Sequence, residues 1–293
     1  MKIAIYGRSY SEEVNSSIEV LFTQLIDEEV EVLIYQPFYS FLKERVKSLP
    51  KHVTLYNYHS DLDSTVDAMI SIGGDGTILD AVTLIRDSEI PILGVNTGRL
   101  GFLASISKDE IKDSIVKLLQ KRFKIDERAL IKLDAKNDLF GDFNYALNEF
   151  SVHKKESSSM ITIQVFVNGE YLNTYWADGL IVATTTGSTA YSLSCGGPIM
   201  IPGSQNVIIT PIAPHTLTVR PVVLSSSEDI SIKVEGRGKN FLAALDSRTE
   251  VIDSSYELKL SKSDFRVKII QLEGTSYLTT LRNKLNWGID RRN

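Results

Sequence analysis

Short apolar runs alternate with segments of helical period through the first 125 residues. The runs predict strands at Ile3–Tyr6, Val30–Tyr35, Met69–Ile72 and Pro91–Val95. Apolar residues spaced three or four apart predict helices at Val14–Ile26, Tyr39–Ser48, Thr77–Arg86 and Lys108–Gln120. Ser107 and Glu110 form a capping-box pattern at the start of the last helix. Alternation of β and α elements at this spacing predicts a parallel sheet covered by helices.

The apolar period changes to two after about residue 126. Alternating segments predict half-buried antiparallel strands at Ile161–Val165, Ile230–Val234, Tyr256–Leu260 and Phe265–Ile269. No long helix is expected between residues 126 and 270, and Tyr277–Leu285 predicts a short terminal one. We therefore expect a Rossmann-like α/β domain at 1–125, an all-β antiparallel domain at 126–275 and a tail at 276–293.

Amino-acid composition and net charge exclude several classes of protein and of binding partner. Apolar residues make up 43% and charged residues 24%, which excludes a disordered chain, a collagen and a coiled coil. The chain has 32 basic and 37 acidic side chains, so its net charge is −5. This charge does not indicate a surface that binds nucleic acid. One cysteine, Cys195, suits a reducing compartment. With no signal peptide, apolar span or lipidation motif, we expect a cytoplasmic protein without a membrane partner.

The segment from Ser71 to Thr77 has the order that phosphate binding needs: a strand, a glycine loop and a helix. Glycine lets the backbone approach a phosphate, and a helix N-terminus offers free N–H groups. A carboxylate at Asp75 would repel an anion, so it is better explained as a catalytic base or a metal-linked group. A plain turn is the alternative, since Gly-Asp-Gly is common turn chemistry.

The loop Gly73-Gly74-Asp75-Gly76-Thr77 resembles the GGDGT loop of the NAD kinase family, and diacylglycerol kinases, sphingosine kinases and phosphofructokinases have similar loops. Further segments resemble NAD kinases specifically, in the family's order: Asn96–Leu103, Ala146–Glu149, Ala177–Val182, Thr186–Ser194, Gly196–Ile199 and Thr210–Leu217 with Arg220-Pro221. The resemblance covers residues 73 to about 221. It implies an α/β domain followed by an all-β domain, in agreement with the periodicity.

The resemblance also implies roles for individual residues. Phosphate binding is expected from Gly73, Gly74, Gly76 and Thr77, and catalysis from Asp75 as the base. NAD binding is expected from Asp75, Gly76, Phe102, Asn148, Glu149, Asp178, Thr189, Ala190, Tyr191, Ser192, Leu193 and Ser194. Two of these roles are chemically reasonable even without the family resemblance. The Glu149 carboxylate can accept hydrogen bonds from a ribose diol, and the Tyr191 ring can pack against a base or a nicotinamide. Core packing explains Phe102 equally well, and a Ser/Thr-rich loop explains 186–194.

The implied reaction is ATP + NAD⁺ → ADP + NADP⁺, with phosphoryl transfer to the 2′-hydroxyl of the adenosine ribose. Mg²⁺ would accompany ATP with few protein ligands and no dedicated metal site. Family members are commonly homodimers or homotetramers. Two alternatives are a lipid or sugar kinase that shares only the glycine loop, and a dinucleotide sensor without turnover. A hydrolase built on Ser188, Ser192 or His215 lacks a G-x-S-x-G elbow.

The sequence departs from the usual family pattern in three places. Thr185 stands where a proline is common, Ile201-Pro202 where His-Pro is common, and Ser247 follows Asp246 where glycine is common. These changes affect the expected loop geometry and selectivity at the nicotinamide end. They leave Asp75 and the pair Asn148-Glu149 untouched.

Overall fold

The structure is a computed structural model that describes residues 1–98, 101–155 and 160–287. It divides into two compact units. Unit 1 comprises Met1–Glu127 and Val267–Asn293, and unit 2 comprises Arg128–Arg266. Residues 288–293 of the expected tail lie outside the described residues, as do Arg99 and Leu100 of the expected site loop.

Unit 1 is an α/β unit whose elements alternate along the chain. Its strands are β1 Lys2–Gly7, β2 Glu31–Tyr35, β3 Thr54–Tyr56, β4 Ala68–Gly73 and β5 Ile92–Asn96. Its helices are α1 Asn15–Asp27, α2 Gln36–Lys43, α3 Asp75–Ile85, α4 Ile111–Leu119 and, near the C-terminus, α6 Tyr277–Leu285. Single 3₁₀ turns occur at Glu12–Val14, His59–Asp61 and Lys108–Glu110.

The sheet of unit 1 is parallel, with β5, β4, β1, β2 and β3 side by side in that order. The last residues of β17 (Glu257–Leu272) add a sixth parallel strand, pairing Ile269 with Ile92 of β5. Ile3, Ile5 and Ile70 of the sheet are buried against apolar residues of α1 and α4, such as Ile18 and Ile115. These strands are apolar along their whole length because both faces of such a sheet are covered.

Unit 2 is built almost entirely of antiparallel strands. They are the part of β6 (Phe123–Asp134) from Arg128 onward, β7 Tyr145–Ala146, β8 Glu149–Lys154, β9 Ile161–Val167, β10 Glu170–Ala177, β11 Gly179–Thr184, β12 Asn206–Ile212, β13 Val222–Ser225, β14 Ile230–Gly236, β15 Asn240–Leu245, β16 Arg248–Asp253 and the first part of β17. The helical pieces are short: 3₁₀ turns at Lys136–Asp138 and Gly187–Thr189, and the four-residue α5 Tyr191–Ser194.

Two antiparallel layers enclose the core of unit 2. One has the order β13-β12-β11-β8-β15-β16, and the other has β10, β9, β14 and the first part of β17 as neighbours. Inward-facing residues of both layers form one cluster, in which Phe150 and Phe241 meet Ile163 and Ile232. The period-two pattern of the sequence arises from this one-sided burial.

The expected fold class, an α/β parallel domain followed by an all-β antiparallel domain, is confirmed. The capping box at Ser107 is also present, with the Ser107 N–H donating to Glu110 Oε2 at 3.1 Å. The predicted helix Tyr39–Ser48 begins earlier, at Gln36, and ends at Lys43. Pro37, in the first turn of the helix, favours that earlier start.

Three features of the fold differ from the sequence expectations. The segments Tyr256–Leu260 and Phe265–Ile269 are one continuous strand, β17, because the polar stretch between them stays extended. That strand carries the chain into unit 1, so Val267–Asn293 belong to unit 1 rather than to the expected second domain and tail. The short strand β3 was not predicted, since three residues are too few for a periodic signal.

Within the part of the chain that the structure describes, no helix is both long enough and apolar enough to cross a membrane.

Candidate active site

The glycine loop of unit 1 joins the end of β4 to the start of α3. Gly73 has φ +155°, and an added Cβ there would overlap the side chain of Thr77. At Gly74 and Gly76 an added Cβ would meet no atom within 4 Å. Internal packing therefore requires glycine at the first position only. The open space at the other two fits a backbone left bare for a ligand.

The N-terminus of α3 begins at Asp75, with Gly74 as its N-cap residue. A glycine cap supplies no side-chain oxygen for the first N–H groups of the helix, which suits an incoming anion. Thr77, by contrast, is buried, and its N–H donates to the Gly74 carbonyl at 3.0 Å. In this structure Thr77 closes the loop from the inside.

The Asp75 carboxylate accepts three backbone hydrogen bonds from one short segment. Oδ2 accepts from the N–H of Phe102 at 2.8 Å, and Oδ1 accepts from Leu103 at 3.0 Å and Ala104 at 2.8 Å. An added Cβ on Gly101 would overlap this carboxylate. Because Gly101 has no Cβ, the segment that begins there can wrap around Asp75. The sequence alone did not indicate this contact.

The start of the same loop is fixed by Asn96 at the end of β5. Its Oδ1 accepts from the Gly98 N–H at 2.7 Å, and its Nδ2 donates to the Ala104 carbonyl at 3.4 Å. Because β4 and β5 are neighbours, the glycine loop and this second loop emerge side by side. Phe102, half-buried, lies on the segment that holds Asp75.

In unit 2, an aspartate holds the segment Leu147–Glu149 by the same arrangement. Asp246 Oδ2 accepts from the Leu147 N–H at 2.8 Å, and Oδ1 accepts from Asn148 at 2.8 Å and Glu149 at 3.1 Å. Asp246 stands in the tight turn between β15 and β16 with φ +53°. Burial raises the pKa of Asp246, and these three bonds together with Arg248 oppose that shift.

Glu149 is the most perturbed acid of the predicted site. Burial, with a further contribution from the Asp246 carboxylate, raises the pKa of Glu149 from 4.5 to about 8. A backbone hydrogen bond from Tyr191 partly opposes this. Within the described residues, the buried Oε2 of Glu149 has no hydrogen-bond partner. A buried carboxyl oxygen without a donor calls for an explanation, and a ligand hydroxyl supplies one.

The segment Thr186–Ser194 packs directly against the pair Asn148-Glu149. Thr184 Oγ1 donates to the Leu147 carbonyl at 2.6 Å and accepts the N–H groups of Thr186 and Gly187. An added Cβ on Gly187 would overlap the backbone of Asn148. Glycine at 187 is thus needed to bring the hydroxyl-rich loop beside the predicted ribose-binding pair.

The residues of α5 and the two that precede it, Thr189 and Ala190, divide into exposed and buried sets. Tyr191 is 40% exposed, and its ring stacks on His153 with centroids 5.7 Å apart. Burial lowers the pKa of His153, so its ring is neutral near pH 7. Ser192 is fully buried and its hydroxyl bonds to Thr210 at 2.8 Å, so it supports the helix. Thr189, Ala190 and Leu193 are partly exposed, and Ser194 is exposed.

Asp178 lies between β10 and β11 with its carboxylate 2.6 Å from the Lys154 Nζ. The two backbones are also tied, since the Lys154 N–H donates to the Asp178 carbonyl at 2.9 Å. The pair places one acid and one base at the same end of unit 2. Lys154 was not among the predicted site residues.

Each unit brings together its own share of the predicted residues. Unit 1 joins the glycine loop, Asp75 and Phe102, and unit 2 joins Asn148, Glu149 and the segment of α5. Sequence reasoning missed His153, the close approach of Gly101 to Asp75 and the role of Asp246, which it noted only as the start of a pattern with a missing glycine. Among the described residues, no group of three or more His, Cys, Asp and Glu side chains could hold a metal ion.

Comparisons with known proteins identify the family of the chain. The family model of the ATP-NAD kinase N-terminal domain matches residues 3–123, and that of the C-terminal domain matches residues 147–272. The chain is 47% identical over 293 residues to an NAD kinase of Cytophaga hutchinsonii and 45% identical over 295 residues to one of Flavobacterium psychrophilum. Both alignments cover 100% of each chain.

Solved structures show the same fold. A yeast NADH kinase complexed with NADH has a TM-score of 0.88 at 24% identity, covering 99% of this chain and 88% of that one. An NAD kinase from Archaeoglobus fulgidus in complex with ATP has a TM-score of 0.72 at 25% identity, covering 98% of each chain. With both domains matched and full-length relatives at this identity, the chain belongs to the NAD kinase family.

Proposed function

We propose that this chain transfers the γ-phosphoryl group of ATP to the 2′-hydroxyl of the adenosine ribose of NAD⁺, giving ADP and NADP⁺. As a member of the NAD kinase family, the chain is a phosphotransferase. The observation that carries the choice of acceptor is the buried, unpartnered Oε2 of Glu149, held beside Asn148 by Asp246. A ribose diol supplies the hydroxyl donors that this oxygen lacks.

On the acceptor side, Asn148 and Glu149 would fix the adenosine ribose. Thr189, Ala190, Leu193 and Ser194 would line the rest of the dinucleotide site, and Tyr191 would offer its exposed ring face to a base or to the nicotinamide. Asp178 would meet the nicotinamide part. Ser192, predicted as a ligand contact, is better assigned to the support of α5, because its buried hydroxyl already bonds to Thr210.

At the reacting centre, Asp75 would accept the proton of the 2′-hydroxyl as the phosphoryl group arrives. A carboxylate has about four acceptor sites, and the three bonds from residues 102–104 leave one for that proton. Those bonds fix the direction of the carboxylate. Phosphoryl transfer passes through a loose transition state, in which positioning and charge neutralisation supply most of the catalysis.

On the donor side, the bare backbone of Gly74 and Gly76 and the N-terminus of α3 would bind phosphate oxygens. Gly73 and Thr77 would set the shape of this loop from inside. We infer that a divalent metal, Mg²⁺, enters as part of the ATP complex and neutralises phosphate charge. Two observations support this: Asp75 is already engaged by three N–H groups, and Asp80 is paired with Arg8.

We further infer a cytoplasmic homodimer or homotetramer. Cys195 is unpaired, which suits a reducing compartment. Val223 on the edge strand β13 and Val251 on the edge strand β16 are both more than 40% exposed. Exposed apolar residues on sheet edges favour association with a second copy. Light scattering on the protein as it elutes from a size-exclusion column measures the mass of the assembly and so tests this inference.

The decisive experiment mixes purified protein, MgATP and NAD⁺ and measures NADP⁺ with an NADP-specific dehydrogenase while ADP is counted in parallel. Equal amounts of ADP and NADP⁺ are expected. NAD⁺ that lacks the 2′-hydroxyl is the matched control and should release no ADP. NAD binding without ADP release would instead identify a sensor. ADP release with only a lipid or sugar acceptor would identify another kinase.

A further inference from the structure

His153 of β8 lies beside the predicted NAD-binding residues, but no step of the proposed reaction uses it. Glu149, Ser151 and His153 alternate along β8, and alternate residues of a strand point to one face of its sheet. Helix α5 covers this face, since Ile181, opposite Ser151 in β11, packs against Cys195 at the C-cap of α5. His153 therefore shares a face with Glu149, below α5.

The ring of His153 is fixed along two of its edges. Nε2 lies 2.9 Å from Oγ of Ser151, which is buried. Nδ1 faces Gly179, where an added Cβ would come within 3.3 Å of it and within 2.3 Å of the Val152 carbonyl oxygen. A hydrogen bond on one edge and a close backbone approach on the other leave the imidazole a single orientation.

Tyr191, the first residue of α5, rests on this fixed ring. The two rings are 16° from parallel, with centroids 5.7 Å apart, and Tyr191 keeps 40% of its surface exposed. The Tyr191 N–H donates to Glu149. Tyr191 is thus attached at two points on one face of β8, by its backbone to Glu149 and by its ring to His153.

Packing of the core does not account for this arrangement. Phe150 and Val152 point to the other face of β8 and lie in the core of unit 2, whereas His153 is only half-buried. A residue that merely filled space would need no bond to Ser151. A partly exposed side chain on a four-residue helix can adopt several rotamers, and stacking on a fixed ring favours one of them.

We propose that His153 is a positioning residue of the acceptor site, which holds the Tyr191 ring in the orientation that packs against an aromatic ring of NAD. The inference rests on the proposed function and adds to it a residue that acts on NAD binding through Tyr191. His153 touches none of the reacting atoms. Its replacement should therefore change the KM for NAD, and not kcat or the KM for ATP.

The experiment compares His153→Leu and His153→Phe in the coupled NADP⁺ assay, with each substrate varied in turn. Leucine keeps apolar volume but removes the ring face, so the KM for NAD should rise about fivefold. The kcat and the KM for ATP should stay within twofold. Phenylalanine restores a flat ring without the nitrogen atoms, so its KM for NAD should lie within twofold of the parent. Equal increases in both variants would overturn the stacking role.

A double-mutant cycle tests whether His153 acts through Tyr191. Tyr191→Leu already breaks the stacked pair, so adding His153→Leu to it should change the KM for NAD by less than twofold. A further fivefold increase in the double variant would show that His153 acts without Tyr191 and would overturn the proposal.

Tyr171→Leu is the matched control. It removes a ring from another partly exposed aromatic pair of unit 2, Phe166 and Tyr171 on β9 and β10, and should change none of the three constants. Thermal midpoints within a few degrees of the parent would show that each variant folds. An unchanged KM for NAD in His153→Leu, with normal NADP⁺ formation, would overturn the positioning role and leave the proposed function standing. Absence of NADP⁺ from the parent protein would instead defeat the proposed function itself.

Discussion

Two aspartates, one in each unit, use the same hydrogen-bond pattern. Asp75 of unit 1 accepts the N–H groups of residues 102–104, and Asp246 of unit 2 accepts those of residues 147–149. In both places one carboxylate fixes three consecutive residues of a distant segment. They differ in what the fixed segment carries. At the first place the segment positions the carboxylate of Asp75, which is the proposed reacting group. At the second place the carboxylate of Asp246 positions the segment, because the segment bears the proposed ligand-binding residues Asn148 and Glu149.

That difference separates a reacting group from a positioning one. Asp75 begins α3 within a glycine loop whose Gly74 and Gly76 are open to a ligand. Asp246 sits in a hairpin turn, and its charge acts through Glu149, whose pKa it helps to raise. Identical contacts can therefore have different roles, and substitution of each aspartate by asparagine distinguishes them.

The largest effect is expected for Asp75→Asn. Loss of a general base commonly lowers turnover by a factor of 10² to 10⁴, so kcat should fall about 10³-fold. Asparagine still offers one oxygen to Leu103 and Ala104, so the free energy of unfolding should fall by only about 1–2 kcal/mol. NAD binding should persist. A steady-state assay measures kcat, and an NAD titration measures binding. A near-normal kcat would show that Asp75 is not the general base.

For Asp246→Asn we expect a larger loss of stability and a smaller loss of kcat than for Asp75→Asn. The amide cannot accept from the Leu147 N–H, and the charged acceptor of the other two bonds is lost. The free energy of unfolding should therefore fall by about 2–3 kcal/mol, more than for Asp75→Asn, because burial leaves the unpaired N–H of Leu147 without water. The kcat should change less than tenfold, while the KM for NAD rises more than the KM for ATP. Chemical denaturation and kinetics on one preparation provide the measurement; a kcat loss as large as that of Asp75→Asn would abolish the distinction between the two aspartates.

The sequence revealed the Asp75 region far better than the Asp246 region. A strand, a glycine loop and a helix are consecutive in the chain, so the local pattern alone is enough to predict Asp75 at the start of a helix. Asp246 lies 98 residues from Asn148, and no local signal links them. The same reason explains why β17 looked like two strands and why the contact of Gly101 with Asp75 was not predicted: each depends on contacts remote in sequence.

A smaller effect is expected for Gly101→Ala, which tests how closely the loop wraps Asp75. The new Cβ would overlap the carboxylate, so the segment must shift, at a cost of about 1–3 kcal/mol in unfolding free energy. Gly76→Ala is the matched control: it meets no atom within 4 Å, lies inside α3, and should change stability by no more than about 1 kcal/mol, in the stabilising direction. Thermal unfolding of both variants checks this. Equal destabilisation would mean that the wrapping is not steric.

The smallest effect concerns the pH dependence of stability that arises from Glu149, whose pKa is raised by burial and, to a lesser extent, by Asp246. The pKa of Glu149 is about 8 in the folded chain, above its ordinary 4.5, so the folded state binds this proton more tightly. That contribution to stability is complete below about pH 4.5 and is lost as the pH rises through 8. Glu149→Gln cannot titrate. Between pH 5 and 9 the parent should therefore lose about 1–2 kcal/mol more unfolding free energy than the variant, after allowance for the partial exposure of the side chain.

Denaturant titrations at several pH values measure this slope, and two further variants show its origin. Glu250→Gln removes an exposed carboxylate from the same unit and should keep the parent slope. Asp246→Asn keeps Glu149 but removes the neighbouring charge, so the loss should move to lower pH. If Glu149→Gln kept the parent slope, the buried proton would belong to another group. If Asp246→Asn left the pH window in place, burial alone would set the pKa of Glu149, and Asp246 would hold the segment without tuning it.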